Sequence, residues 1–122
     1  MRKKSKLIVT LALCITLLCS LSAPVLATDP MNIDQFIASP SGDIQYGQYK
    51  AFLAQVSGGS GEYSYRFVAW DGQQVYWLTD WQSSNYYSFQ PLTRGDWEVD
   101  VLVQDVNIPS YSLYADHYFT VH

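Results

Sequence analysis

The sequence predicts an all-β chain folded as an immunoglobulin-like β-sandwich of about seven antiparallel strands, preceded by a signal peptide. Three observations carry this. Short runs rich in β-branched and aromatic residues recur along the chain, no segment shows a helical period, and turn chemistry punctuates the runs as "SPSGD", "SGGSG", "DG", "QSSN", "PLTRGD" and "NIPS". Seven such runs in about a hundred residues is the count of an immunoglobulin-like sandwich.

The first 27 residues read as an export signal. Arg2-Lys3-Lys4-Ser5-Lys6 is a basic start, Leu7 to Cys19 an apolar run, and "SAPVLA" brings the small residue Ala27 before the polar Thr28. Leu7 to Leu26 is long enough for an uncleaved anchor, but Pro24 and Ala27 favour cleavage. Cys19 follows Leu18, where a lipidation signal needs a small side chain. The remaining domain, residues 28–122, loses both cysteines and four of the seven cations. It keeps Lys50, Arg66 and Arg94 against all eleven acidic residues, a net charge of −8. Nucleic acid is excluded as a partner on that balance, and no disulfide framework exists to hold the domain. Burial alone must do so. The 4 Trp, 10 Tyr and 5 Phe all fall after the signal, and at about 150 to 250 Å² each they make a small core adequate.

The strands are predicted near Ile33 to Ala38, Tyr49 to Val56, Tyr63 to Trp70, Gln73 to Thr79, Asn85 to Gln90, Asp96 to Gln104 and Leu113 to Val121. The sixth alternates most clearly. Trp97, Val99, Val101 and Val103 share one face and read as core, together with Phe119 on the last strand, while Asp96, Glu98, Asp100 and Gln104 share the other. Asp71-Gly72 suits a two-residue type I′ hairpin, which pairs Trp70 with Gln73, Val68 with Val75 and Arg66 with Trp77. Tyr63, Tyr65, Phe67, Ala69, Tyr76 and Leu78 then face the core, and Arg66, Val68, Trp70, Val75 and Trp77 face outward. A longer turn would slip that register, so residues 73–81 are where the assignment is weakest.

These residues resemble a known family. "YSYRF", then an aspartate and a tryptophan, then "YYSFQPLTRGDWEVDVLVQD" is similar to the triple-tyrosine (three-Y) domain of secreted bacterial proteins. Tyr65, Tyr87, Leu92 and Gly95 look like its marked positions, with Val99 and Val101 following, and Trp97 stands where a third tyrosine is expected. The resemblance covers about residues 63–121. It implies an immunoglobulin-like sandwich, found in the family at the end of extracellular propeller sensors or as a module of secreted Gram-positive proteins. With no propeller or kinase segment in this sequence, only the module role carries over. In related sandwiches a corner tyrosine two places after such a glycine bonds the preceding turn. The indole N–H of Trp97 is able to donate in that way, although a core aromatic is the simpler reading.

Catalysis has little support. The histidines are His117 and the terminal His122, Ser60 in "GGSGE" lacks the spacing of a nucleophile elbow and reads as a flexible turn, and eleven carboxylates make any pair unremarkable. No cofactor is expected. Asp96, Glu98 and Asp100 on one strand face, with Asp105 after them, raise calcium. Alternate strand residues stand almost 7 Å apart, however, and a solvated acidic face is the better reading. The outward aromatics remain. Arg66, Trp70, Trp77, Asp100 and Tyr118 are the expected binding residues, with Arg66 stacked on Trp77.

The expected role is a secreted, non-catalytic interaction module that binds an extracellular protein or a second copy of itself. The alternative is a carbohydrate-binding module for cell-wall or plant glycan, drawing on Trp81, Asp80 and Gln82 beside Trp70 and Trp77. A peptidase inhibitor fits the size but lacks the loop motifs. Intact mass of the extracellular protein checks the first of these expectations: the mature chain begins at Thr28, and a membrane-bound species retaining Leu7 to Leu26 refutes it.

Overall fold

The computed structural model describes residues 29–122. The signal-peptide reading, including Thr28 and both cysteines, lies outside the described residues. Seven strands follow in order: β1 (Asn32–Ser39), β2 (Lys50–Ser57), β3 (Tyr63–Trp70), β4 (Val75–Trp77), β5 (Tyr86–Phe89), β6 (Gly95–Asp105) and β7 (Ser112–Val121). They form an antiparallel three-stranded sheet, β1-β2-β5, and an antiparallel four-stranded sheet, β4-β3-β6-β7. This is an all-β sandwich with the strand order of an immunoglobulin-like domain.

The inner faces meet through aromatic rings. Phe67 of β3 stacks on Tyr87 of β5 at 6.0 Å, Phe89 of β5 meets the edge of Trp97 at 5.8 Å, and Phe52 of β2 lies 6.3 Å from Phe119 of β7. Tyr65, Phe67, Val99, Val101 and Phe119 are buried, as the alternation predicts. Trp97 serves both of the roles considered for it. It is buried, and its indole N–H donates to the Thr93 carbonyl at 3.0 Å, closing the turn that leads into β6. Gly95, at φ 111°, makes that turn possible. Leu92, matched in the family resemblance, is largely exposed.

Two buried charges shape the ends of the sandwich. Lys50 is fully buried at the start of β2, on the same face as Phe52 and Ala54. Its ammonium donates to the carbonyls of Pro40 and Gly42 in the "SPSGD" turn and lies 4.8 Å over the Phe119 ring, and burial lowers its pKa. Asp105, also fully buried, ends β6. It accepts from the amide and hydroxyl of Ser60 and from the amides of Asn107 and Ile108. Burial opposes its charge, but these four donors more than compensate and hold the carboxyl below its usual range. The "SGGSG" segment is therefore a packed loop and not the flexible turn expected. A Cβ on Gly59 would come within 2.3 Å of the Asp105 carboxylate.

The β3–β4 register corrects the expected one. Trp70 pairs with Val75, Ala69 with Tyr76 and Val68 with Trp77, so the loop holds four residues, Asp71 to Gln74, and β4 is only three long. The cause is the Asp71 carboxylate. It accepts from the amides of Gln73 and Gln74 at 2.9 and 2.8 Å, and these contacts with backbone amides lower its pKa. The slip is by two residues, an even number, so every side chain keeps its assigned face.

Val101 has no exposed surface, and Asp at that position buries an unpaired charge at a cost of about 4 kcal/mol or more. Val101→Asp is expected to abolish the cooperative melt seen by circular dichroism. A variant that still melts near the wild type would show that β6 does not present this face to the core.

Candidate functional site

The outward face of the four-stranded sheet is laid out by its register. Across it, Val75, Trp70, Glu98 and Tyr118 form one row, and Trp77, Val68, Asp100 and Asp116 the next. Arg66 lies one row further along β3, opposite Leu102 and Tyr114. Trp70 is 48% exposed and Trp77 59%. Tyr114 and Tyr118 are likewise exposed on the edge strand β7.

Arg66 sits diagonal to Trp77, and not directly across as the two-residue turn required. The guanidinium still lies 4.3 Å from the ring centroid. Its Nε donates to the Thr79 carbonyl at 3.2 Å, and a nitrogen reaches exposed Asp80 at 3.9 Å. The cation thereby stacks on the indole and is engaged by Thr79 and Asp80, and it makes no ion pair with the acids on β6.

Those acids form a cluster. Ligand oxygens of Glu98, Asp100 and Asp116 all lie within 4.8 Å of one another. Asp100 is directly opposite Asp116, a like-charge pairing that a sheet normally avoids. Asp100 is half-buried, and one of its carboxylate oxygens is enclosed without a hydrogen-bond partner. Burial first, then a hydrogen bond to Glu98 and the charges of Glu98 and Asp116, push its pKa up to about 7. The reading of a solvated acidic face is corrected here, because at Asp100 the acids are crowded and desolvated. Burial and the same three carboxylates raise the pKa of Tyr118. Asp105 takes no part, being enclosed at the far end of β6. Three carboxylates offer oxygen ligands to a hard cation, but calcium takes six to eight, and the surrounding groups are Trp70, Val68, Val75 and Tyr118.

Between Trp70 and the acids the face is indented. The depression, of about 240 Å³, is lined by Val68, Ala69, Trp70, Val75, Glu98 and Asp100. The structure thus brings Trp70 and Asp100 to one hollow, with Tyr118 in the same row beyond Glu98 and with Trp77 and Arg66 to the other side. Sequence reasoning named Asp100 alone of the three acids as a site residue. Strand alternation placed Glu98 and Asp116 on the same outward face, but that Asp116 stands directly opposite Asp100 requires the β6–β7 register, which no turn dipeptide reveals. Trp81 is exposed beyond β4, and the Gln82 amide is already committed to the carbonyls of Ser84 and Tyr86. No family model matches this chain, and no curated protein matches it either.

The raised pKa of Asp100 has a defined sign. Between the ordinary value of 3.8 and about 7 the native state holds a proton that the unfolded chain has released, so stability falls as pH rises across this window and levels off above it. His117 works the other way. Its ring lies on the inner face of β7, 5.8 Å from Phe52, and burial and Lys50 lower its pKa, so stability is lost as pH falls below 6.5. The difference between Asp100→Asn and wild type isolates the first titration. The variant is expected to melt above wild type at pH 8 and close to it at pH 4, by differential scanning calorimetry. A variant that melts lower at pH 8 would show an ionised, favourably placed Asp100.

Proposed function

We propose that this chain is a secreted, non-catalytic bacterial interaction module, binding an extracellular protein or itself through the outward face of its four-stranded sheet. The observation that carries the reading is the pair of exposed tryptophans, Trp70 and Trp77, on a face that soluble sandwiches usually cover with threonine, lysine or glutamate. Exposed indoles are the side chains most often found at the energetic centre of an interface. Arg66 on Trp77 adds preorganisation, since a ring already stacked on a guanidinium loses less freedom on binding. The expected export signal and the resemblance to triple-tyrosine domains support this reading of a module outside the cell, with a cleaved leader and no membrane insertion.

The alternative is a carbohydrate-binding module. A third exposed tryptophan, Trp81, favours it, but the Gln82 bridge to Tyr65 sets Trp81 toward the other end of β3 from Trp70, and the commitment of the Gln82 amide removes one of the polar groups such a site would use.

The double change Trp70→Ser with Trp77→Thr tests the face. It is expected to keep the melting temperature within a few degrees, since it removes contact area and about 0.5 to 1 kcal/mol of stacking on Arg66. Concentration-dependent sedimentation, cross-linking to cell-surface proteins and glycan arrays then report which of the three binding modes the wild type shows and the variant loses. A collapse of stability makes the rings structural. Binding that survives the double change moves the site elsewhere.

A further inference from the structure

We propose that the hollow between Trp70 and the Glu98–Asp100–Asp116 cluster seats a cationic side chain, a lysine ammonium or an arginine guanidinium, presented by a basic polypeptide partner. The inference rests on the binding-face reading above and names the chemistry of what binds there.

Charge is the first argument. Eleven acidic residues and three lysines or arginines occupy the described residues, and each of the three cations lies over an aromatic ring: Lys50 over Phe119, Arg66 over Trp77 and Arg94 over Tyr46. Among the described residues no lysine or arginine pairs with Glu98, Asp100 or Asp116. Three carboxylates within 4.8 Å therefore lack a countercharge from their own chain. A partner's cation supplies it, and the chain's net negative charge steers such a partner toward the face.

The walls are the second argument. Val68, Val75 and the exposed Trp70 indole give an alkyl stem an apolar surface and the charged end an aromatic neighbour, and exposed Tyr118 stands beyond Glu98 in the same row. One Asp100 oxygen is enclosed without a partner, so the carboxylate's remaining oxygen and those of Glu98 and Asp116 are the acceptors offered to a donor from outside. An ammonium or guanidinium offers several donors and no acceptor, the complement of this floor.

Other occupants fit less well. A second copy docked face to face sets one acidic cluster against another. A neutral sugar brings hydroxyls but no countercharge, and a bare divalent ion finds three carboxylates beside indole and valine.

Seating a cation also displaces the proton that Asp100 holds near neutral pH. The groups facing Asp100 are Glu98 on its own strand and Asp116 and Tyr118 on β7, while the nearest cation on β3, Arg66, is turned to Trp77 and Asp80. Affinity for a cation thus rises with pH through the neutral range, by up to about tenfold per pH unit for one released proton.

Fluorescence anisotropy with short oligolysine and oligoarginine peptides, at pH 5.5 and pH 8 and physiological salt, tests this on the purified protein. The expected result is saturable binding that tightens about tenfold or more between the two pH values. Asp100→Asn and Glu98→Gln, each with its melt checked, should weaken binding at pH 8 about tenfold, and Asp100→Asn should also flatten the pH dependence. Asp34→Asn, the same charge change on exposed β1 of the other sheet, should leave binding within about twofold. Equal losses in Asp34→Asn and Asp100→Asn would reduce the effect to general attraction and overturn the site. No peptide binding, a calcium-dependent site at these acids, or a dimer through this face would overturn it as well. In those cases the Trp70→Ser, Trp77→Thr variant still decides separately whether the face binds anything.

Discussion

β6 is the constraint on which the rest of the molecule depends. Its inward residues, Trp97, Val99, Val101, Val103 and Asp105, run between the two sheets, and its outward residues, Glu98, Asp100 and Leu102, form the centre of the candidate site. Both ends are tied down. At one end the Trp97 indole holds the Thr93 carbonyl, and at the other the Asp105 carboxylate gathers four donors from two loops. A one-residue slide of this strand would exchange valines for carboxylates in the core, so the position of the acids outside is fixed by the packing inside.

The same economy governs the charges. Without a disulfide among the described residues, stability comes from aromatic burial, and the rings that fill the core and cover the surface also take up the cations. Lys50 shows how far this goes. Its ammonium is enclosed, yet two turn carbonyls and a ring face satisfy it, and it fastens the β1–β2 connection to the sandwich. The free end of β7 is fastened similarly. Ile44 pairs with Val121 in parallel, and Asp43 accepts from the Thr120 amide at 2.9 Å.

Much of this was legible in the sequence, and the failures have physical reasons. β3 was placed to the residue and the other strands within a residue or two, because aromatic and β-branched runs bounded by turn residues are local signals. The register of β4 was not, because side-chain capture of two amides by Asp71 competes with the type I′ turn its dipeptide suggests. Lys50 entered the sequence reading only as one of three cations, although it occupies an inward position with Phe52 and Ala54. Burial of a lysine depends on distant carbonyls that a local reading does not see. The acid cluster was half legible, since alternation puts Glu98, Asp100 and Asp116 on one outward face but not Asp116 opposite Asp100, which depends on the pairing of two strands. Trp70 and Trp77 were placed outward correctly despite the wrong register, because face depends only on parity.

That parity bears on how such a hairpin can vary in length. With four residues from Asp71 to Gln74, trimming or adding a pair leaves Tyr76 against Trp97, where the rings stack at 5.5 Å, and leaves Trp77 outside. An odd step would turn Trp77 into the core and Tyr76 out to solvent, dismantling the interior and the exposed face together. Length changes in this connection are therefore quantised in twos, and a lineage of such domains could lengthen or shorten the tip freely while inheriting one unbroken surface.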